Sequence, residues 1–172
     1  MKNFRIILIL LATCLIVGSC GSFSKASRAE RVAERQLCAQ TIESGYFVLD
    51  ITQIIPRGFP SRTSTGEYAL RMKDGVVDTR LPFIGESRTA TYGGVDEISI
   101  VFESEKVDLQ KDFSDAAKGK YRYTFKGGKG QDKWTVYLQL YDSGRANINC
   151  ISRNGRYMSF LANILMPENE KK

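Results

Sequence analysis

The sequence predicts an α+β fold made mainly of antiparallel β-structure, with one N-terminal helix followed by about seven hairpin-connected strands in a curved sheet or a sandwich. Three observations lead there. One helix-like segment precedes the body, the apolar period is two from Tyr46 onward, and Asp74-Gly75, Asp142-Ser143-Gly144 and Asn154-Gly155 punctuate the chain as hairpin turns do. No helical period separates consecutive strands, which argues against a parallel βαβ sheet.

The first residues form a targeting segment. Lys2 and Arg5 make a basic start, and Ile6 to Val17 is an apolar run broken only by Thr13 and Cys14. That run falls short of the roughly twenty residues a bilayer requires. Val17-Gly18-Ser19-Cys20 matches a bacterial lipobox, in which the cysteine is diacylated on sulfur before cleavage. Residues 1–19 therefore read as a lipoprotein signal peptide and Cys20 as the lipid anchor; the alternative is an ordinary secretory signal cut near Ser19. Residues 20–27 read as a short polar tether without fixed structure, 28–166 as a single domain and 167–172 as a fraying tail. The expected location is the cell envelope, with the lipid in the outer membrane and the body facing the periplasm.

Ser27-x-x-Glu30 has capping-box spacing, and Gly45 can close a helix running from about Arg28 to Ser44. Its apolar stripe is poor, because Ala29, Ala33 and Leu37 drift to one side while Cys38 and Ile42 lie on another. Packing is expected through its C-terminal half.

Phe47, Leu49 and Ile51 alternate in a first strand that ends near Pro56, and Pro56 to Gly66 is a loop. Tyr68, Leu70 and Met72 alternate up to the Asp74-Gly75 turn, and Val76 to Leu81 runs back. A two-residue turn sets the register, opposing Lys73 to Val76, Met72 to Val77, Arg71 to Asp78, Leu70 to Thr79 and Tyr68 to Leu81. A strand with Ile98, Ile100 and Phe102 follows, then a connection with one helical turn at Ser114 to Lys118 closed by Gly119. Tyr121, Tyr123 and Phe125 mark the next strand, Gly127-Gly128-Lys129-Gly130 a turn, and Trp134, Val136, Leu138 and Leu140 the strand after it. Ala146, Ile148 and Cys150, then Tyr157 to Ile164, complete the set. A strict two-residue turn at Asn154-Gly155 would oppose Arg153 to Arg156, so a longer loop or a shifted register is expected there.

The chemistry is bounded by what is missing. The chain holds no histidine, which removes Ser-His and Cys-His pairs and imidazole metal ligands. Cys38 and Cys150 alone cannot build a thiolate zinc site, so no metal and no cofactor is expected. Gly127 to Lys133 lacks the Lys-Ser/Thr pair of a phosphate loop. Ser22-x-x-Lys25 has the spacing seen in penicillin-interacting enzymes, but it falls in the tether. Formal charge is +6 and falls to +4 once Lys2 and Arg5 leave with the signal, a mild excess in a compartment where nucleic acid is not an expected partner.

The residues that remain each carry two readings. In an oxidising compartment Cys38 and Cys150 form either a disulfide or two separately buried thiols. Arg122 and Lys126 share a strand face, within a cluster that includes Lys118, Lys120, Lys129 and Lys133. They form either an anionic-surface contact or a solvated face. Tyr137 and Tyr141 oppose the apolar phase of their strand, which makes them either core residues or the lining of a ligand groove.

These features resemble the DUF4251 family of exported proteins, found mostly in Bacteroidetes. The carriers are Tyr68-x-Leu70, Leu81-Pro82-Phe83-x-Gly85, Ile100-x-Phe102, Tyr121-x-Tyr123-x-Phe125, and Gly144-x-Ala146 followed by Arg156. The resemblance spans roughly Gln36 to Ile164 and implies a lipoprotein-like, β-rich domain with no established catalytic residue. The expected function is a non-catalytic binding or assembly module. It is held to the membrane by its N-terminal lipid and faces an envelope protein, lipid or glycan. The alternative is an envelope hydrolase using a carboxylate pair in a sheet-lined cleft.

Overall fold

The computed structural model describes residues 20–64, 66–84, 97–128 and 133–165. The signal segment, the polar loop after Ile84, part of the glycine-rich turn and the tail lie outside the described residues. The chain divides into two units, Met1–Gln36 and Leu37–Lys172.

In the first unit the described element is the front of helix α1 (Cys20–Ser44). The expected tether at 20–27 is therefore helical, and Ser27 is an interior residue rather than a cap. Its carbonyl accepts a hydrogen bond from Arg31 Nε at 3.1 Å. The physical reason is cooperativity: once a helix is nucleated, each further residue adds a hydrogen bond at little extra entropic cost, and nothing from Gly21 to Ala26 is a proline that would stop it. Residues 28–36 are exposed.

In the second unit α1 continues from Leu37 to Ser44, followed by β1 (Tyr46–Pro56), β2 (Arg62–Thr63), β3 (Ala69–Lys73), β4 (Val76–Phe83), β5 (Glu97–Lys106), β6 (Gln110–Asp112), β7 (Lys120–Gly127), β8 (Trp134–Tyr141), β9 (Arg145–Ser152) and β10 (Tyr157–Leu165). The sheet runs β5-β4-β3-β1-β10-β9-β8-β7-β6, with β2 beside β1, and every pairing is antiparallel. Of the two architectures expected, the curved sheet is the one formed: a single, strongly curled half-barrel. Among the described residues ten strands stand where about seven were expected. The excess comes largely from β2 and β6, which are short and exposed along their length and so carry no apolar alternation to read.

The β3–β4 hairpin forms in the predicted register, from Lys73 opposite Val76 to Leu70 opposite Thr79. Asp74 and Gly75 both adopt positive φ, 51° and 77°, as a two-residue turn matched to strand twist requires. Pairing stops before Tyr68, whose carbonyl instead accepts from Ile51 N. At the β9–β10 turn Ser152 N donates to Arg156 O at 2.8 Å, giving a three-residue loop that avoids setting Arg153 against Arg156. The expected helical turn is a 3-10 segment at Ala116–Lys118, followed by Gly119.

Curling brings the inner side chains of distant strands together. Phe102 on β5 meets Phe125 on β7 with ring centroids 5.5 Å apart, and Phe83 on β4 meets Trp134 on β8 at 6.0 Å. Phe47 packs edge-on to Tyr123 at 5.6 Å. Glu105 Oε2 on β5 accepts from Gly128 N at 2.9 Å, tying the β5 edge to the start of the β7–β8 turn. The C-terminal half of α1 joins this core through Cys38 and Ile42, both buried, while Leu37 is exposed. The Ile42 carbonyl at the helix end accepts from Gly45 N and from the Tyr123 hydroxyl, so an orphan helix carbonyl is satisfied by the sheet.

Burial, reinforced by the Glu43 carboxylate, pushes the Tyr123 phenol from an ordinary 10.0 up to about 12. The unfolded chain then loses this proton first, so the associated stability is fully present below pH 10 and declines as pH rises toward 12. Tyr123→Phe is expected to cost about 1 kcal/mol at neutral pH and to flatten the alkaline limb of a plot of melting temperature against pH. An unchanged alkaline limb in the variant would remove Tyr123 as its source.

Candidate functional site

Two surfaces on the outside of the curled sheet gather the chemistry-bearing side chains. The first spans β7 to β10, where the outward phase stacks in register across strands. One row runs Thr124, Tyr137, Asn149, Ser159 and continues to Ile55 of β1; the next runs Arg122, Gln139, Asn147, Leu161 and Gln53. Tyr137 is 43% exposed on this face and Tyr141 is half-buried. The core reading of these tyrosines is corrected: a single curled sheet buries only its inner phase, and the inward positions of β8 are filled by Trp134, Val136, Leu138 and Leu140. Hydrogen bonds order the face. Asn149 Oδ1 accepts from Tyr157 OH at 2.8 Å and Ser159 Oγ at 2.9 Å, and Gln139 Nε2 donates to Tyr141 OH. With its oxygen committed to β10, the Asn149 amide has its two N–H donors oriented away from that strand.

Arg122 and Lys126 share this outer face as expected, but their circumstances differ. Lys126 is exposed, whereas Arg122 is gripped by Asp112 at 2.9 Å and Asp115 at 2.6 Å. Asp115 also meets Lys118 at 3.0 Å. Hydrogen bonds from Ser114, and then from Arg122, hold the Asp112 carboxyl down to about 2, and Lys118 and Arg122 lower Asp115. A proton donor for glycoside hydrolysis needs a carboxyl raised rather than lowered, so this pair is a structural clamp on β6 and the following turn.

The second surface is a depression on the outer side of β3, β4 and β5. It is lined by Arg71, Lys73, Asp74, Val76, Asp78 and Ser104 and encloses about 370 Å³. Sequence reasoning paired Arg71 with Asp78 correctly but gave no hint of a cavity, because the cavity depends on an irregularity in β5. Val77 faces Glu105 and Thr79 faces Phe102, so Glu103 and Ser104 together oppose Asp78 in a β-bulge.

A third cluster was visible only as scattered motif residues. The Arg156 guanidinium lies 4.7 Å from the Phe83 ring centroid and 5.4 Å from that of Trp134, joining the β9–β10 turn to β4 and β8 by cation–π contact. Nothing in local spacing links these positions; the curl does. Cys38 and Cys150 are separate buried thiols. Cys38 Sγ donates to the Tyr141 carbonyl at 3.6 Å, and burial raises both thiols above their ordinary value, Cys150 far more. Among the described residues no group of three or more His, Cys, Asp or Glu is placed to hold a metal ion, and no helix is long and apolar enough to cross a membrane. Cys20 opens α1.

A curled antiparallel half-barrel joined to the end of one helix, with its polar groups displayed outside, defines the class of domain. The sequence profile of DUF4251, a domain of unknown function, matches residues 29–164, and the chain belongs to that family. A crystal structure of a DUF4251 family protein from Bacteroides eggerthii DSM 20697 is similar in fold, with a TM-score of 0.58 and 15% identity over 78% of this chain and 88% of that one. No curated protein matches.

Alkylation of the folded protein with iodoacetamide is expected to leave Cys38 and Cys150 unmodified, and unfolding without reductant to expose both. Mass spectrometry showing a bridged peptide pair instead would restore the disulfide reading.

Proposed function

We propose that this chain is a lipid-tethered, non-catalytic binding module of the bacterial envelope, held at the outer membrane and facing the periplasm. The tether rests on the lipobox Val17-Gly18-Ser19-Cys20. The observation that carries the binding reading is the outer face of β7–β10, an ordered, hydrogen-bonding surface that exposes an aromatic ring at Tyr137. Aromatic side chains with a polar end are favoured anchors at interfaces, because they bring contact area at low conformational cost. Arg122 is largely neutralised by its two carboxylates, so the middle of the face favours an uncharged partner surface over an anionic one.

Cys20→Ala is expected to move the protein from the membrane to the soluble fraction and to abolish incorporation of an alkyne-tagged fatty acid. A variant that stays labelled and membrane-bound rules out this anchor. For the binding face, a photo-crosslinking amino acid in place of Tyr137 should give a discrete adduct in intact envelopes, and the same probe at exposed Arg57 should not. Equal labelling from both positions overturns the assignment of the face.

A further inference from the structure

We propose that the front of α1 lies along the membrane surface and contacts anionic lipid headgroups through a row of three arginines. The inference rests on the tether reading for the presence of a membrane beside Cys20. It adds a second, electrostatic attachment with residues of its own.

The row follows from the helical period. At about 3.6 residues per turn, Arg28, Arg31 and Arg35 fall within about 60° of one another around the helix. Val32 stands four residues after Arg28 and three before Arg35, so it borders the row, and it is 50% exposed. Glu30 and Glu34 stack on a separate face, centred about 110° away. All five charged side chains are exposed.

The arginines are not spent inside the protein. Among the described residues no ion pair within 4.0 Å joins any of the three to a carboxylate, although Glu34 is three residues from Arg31. Arg31 Nε donates to the Ser27 carbonyl at 3.1 Å, which uses one N–H of the guanidinium and leaves its terminal nitrogens for a further partner. The segregation of charge costs the helix stability. Arg28 and Arg31 are spaced i,i+3 and Arg31 and Arg35 i,i+4, as are Glu30 and Glu34, and like charges at such spacings repel where opposite charges would support the helix. An interleaved order suits a helix surrounded by water; a one-signed row suits an anionic plane, which offsets the repulsion.

Distance decides the posture. Cys20 is the first residue of α1, and a helix rises about 1.5 Å per residue, so Arg28 and Arg35 lie about 12 and about 22 Å along the axis from it. Attraction to a charged membrane decays over about 8 Å at physiological ionic strength. A helix standing upright on Cys20 would hold the whole row beyond that range. Lying on its arginine face, it brings all three charges within range and sets Val32 against the interfacial layer.

The test couples the mature chain, residues 20–172, through Cys20 to a maleimide lipid in vesicles, with Cys38 and Cys150 protected by burial. Attachment is then supplied chemically, whether or not cells lipidate Cys20. A photo-crosslinking amino acid replaces Val32 or, as a control on the opposite face, exposed Ala33. Lipid adducts, read by mass spectrometry, are expected from the Val32 site in vesicles containing phosphatidylglycerol. At least about tenfold fewer are expected from the Ala33 site, from phosphatidylcholine vesicles and in about 1 M salt. Combining Arg28→Gln, Arg31→Gln and Arg35→Gln should weaken docking about fivefold for each charge removed and leave the melting temperature unchanged. Lysine at the same three positions should retain docking, since the attraction is one of charge. Equal adducts from the Val32 and Ala33 sites, adducts indifferent to lipid charge, salt and arginine substitution, or crosslinks to a second copy of the chain in place of lipid overturn the proposal. If the expected adducts form while Cys20→Ala stays labelled and membrane-bound in cells, the arginine row stands and the tether reading falls.

Discussion

A one-layer sheet has to bury its own apolar face, and almost everything else in this domain follows from that constraint. Two-layer folds cover one sheet with another; here a single sheet curls until β4 and β5 meet β7 and β8 across the interior. The space left at the closure is small. A Cβ at Gly127 would stand 2.7 Å from the Glu105 carboxylate and 3.0 Å from the Phe102 ring, so any side chain there would have to displace the end of Glu105 from its place at the closure. The end of α1 is seated by the same interior, through Ile42 and the Tyr123 hydroxyl. Tyr123 thus links three levels at once: strand alternation places it inside, aromatic packing holds its ring, and its hydroxyl completes the helix.

Side chains not needed for packing are displaced outward as a result. The inner face is committed to packing, which leaves the outer rows as the place where side chains are free to vary in chemistry. Polar residues there are arranged by register rather than by loops. The Thr124–Tyr137–Asn149–Ser159 row is therefore as ordered as the ladder beneath it, and such preorganisation lowers the entropic cost of binding.

Legibility in the sequence tracked the range of the interaction involved. The Asp74-Gly75 hairpin could be read pair by pair, since both its turn and its alternation are local. The three-residue turn at Asp142-Ser143-Gly144 was equally local. β2 and β6 were invisible, because two or three exposed residues carry no period. Tyr137 was left open between core and groove lining: both faces of β8 bear large residues, and alternation alone does not say whether a second layer covers the outer one. Arg122 was read as an available cation because Asp112 and Asp115 lie outside its strand, across a turn. The Arg156–Phe83–Trp134 stack and the bulge behind the depression depend on tertiary register, to which no spacing rule gives access.

The Ser104 bulge also bears on association between copies. Sheets with free edges invite a neighbouring chain to add a strand, and proteins resist this with very short edge strands, bulges and charges turned inward. All three devices are present. β6 is three exposed polar residues long, while β5 carries the bulge and directs Glu105 back toward Gly128. β6 offers almost no ladder to a second molecule, and the ten-residue border of β5 is interrupted at the bulge. For the membrane-tethered protein we propose, gathered at high local concentration, these features act against edge-to-edge polymerisation into fibres.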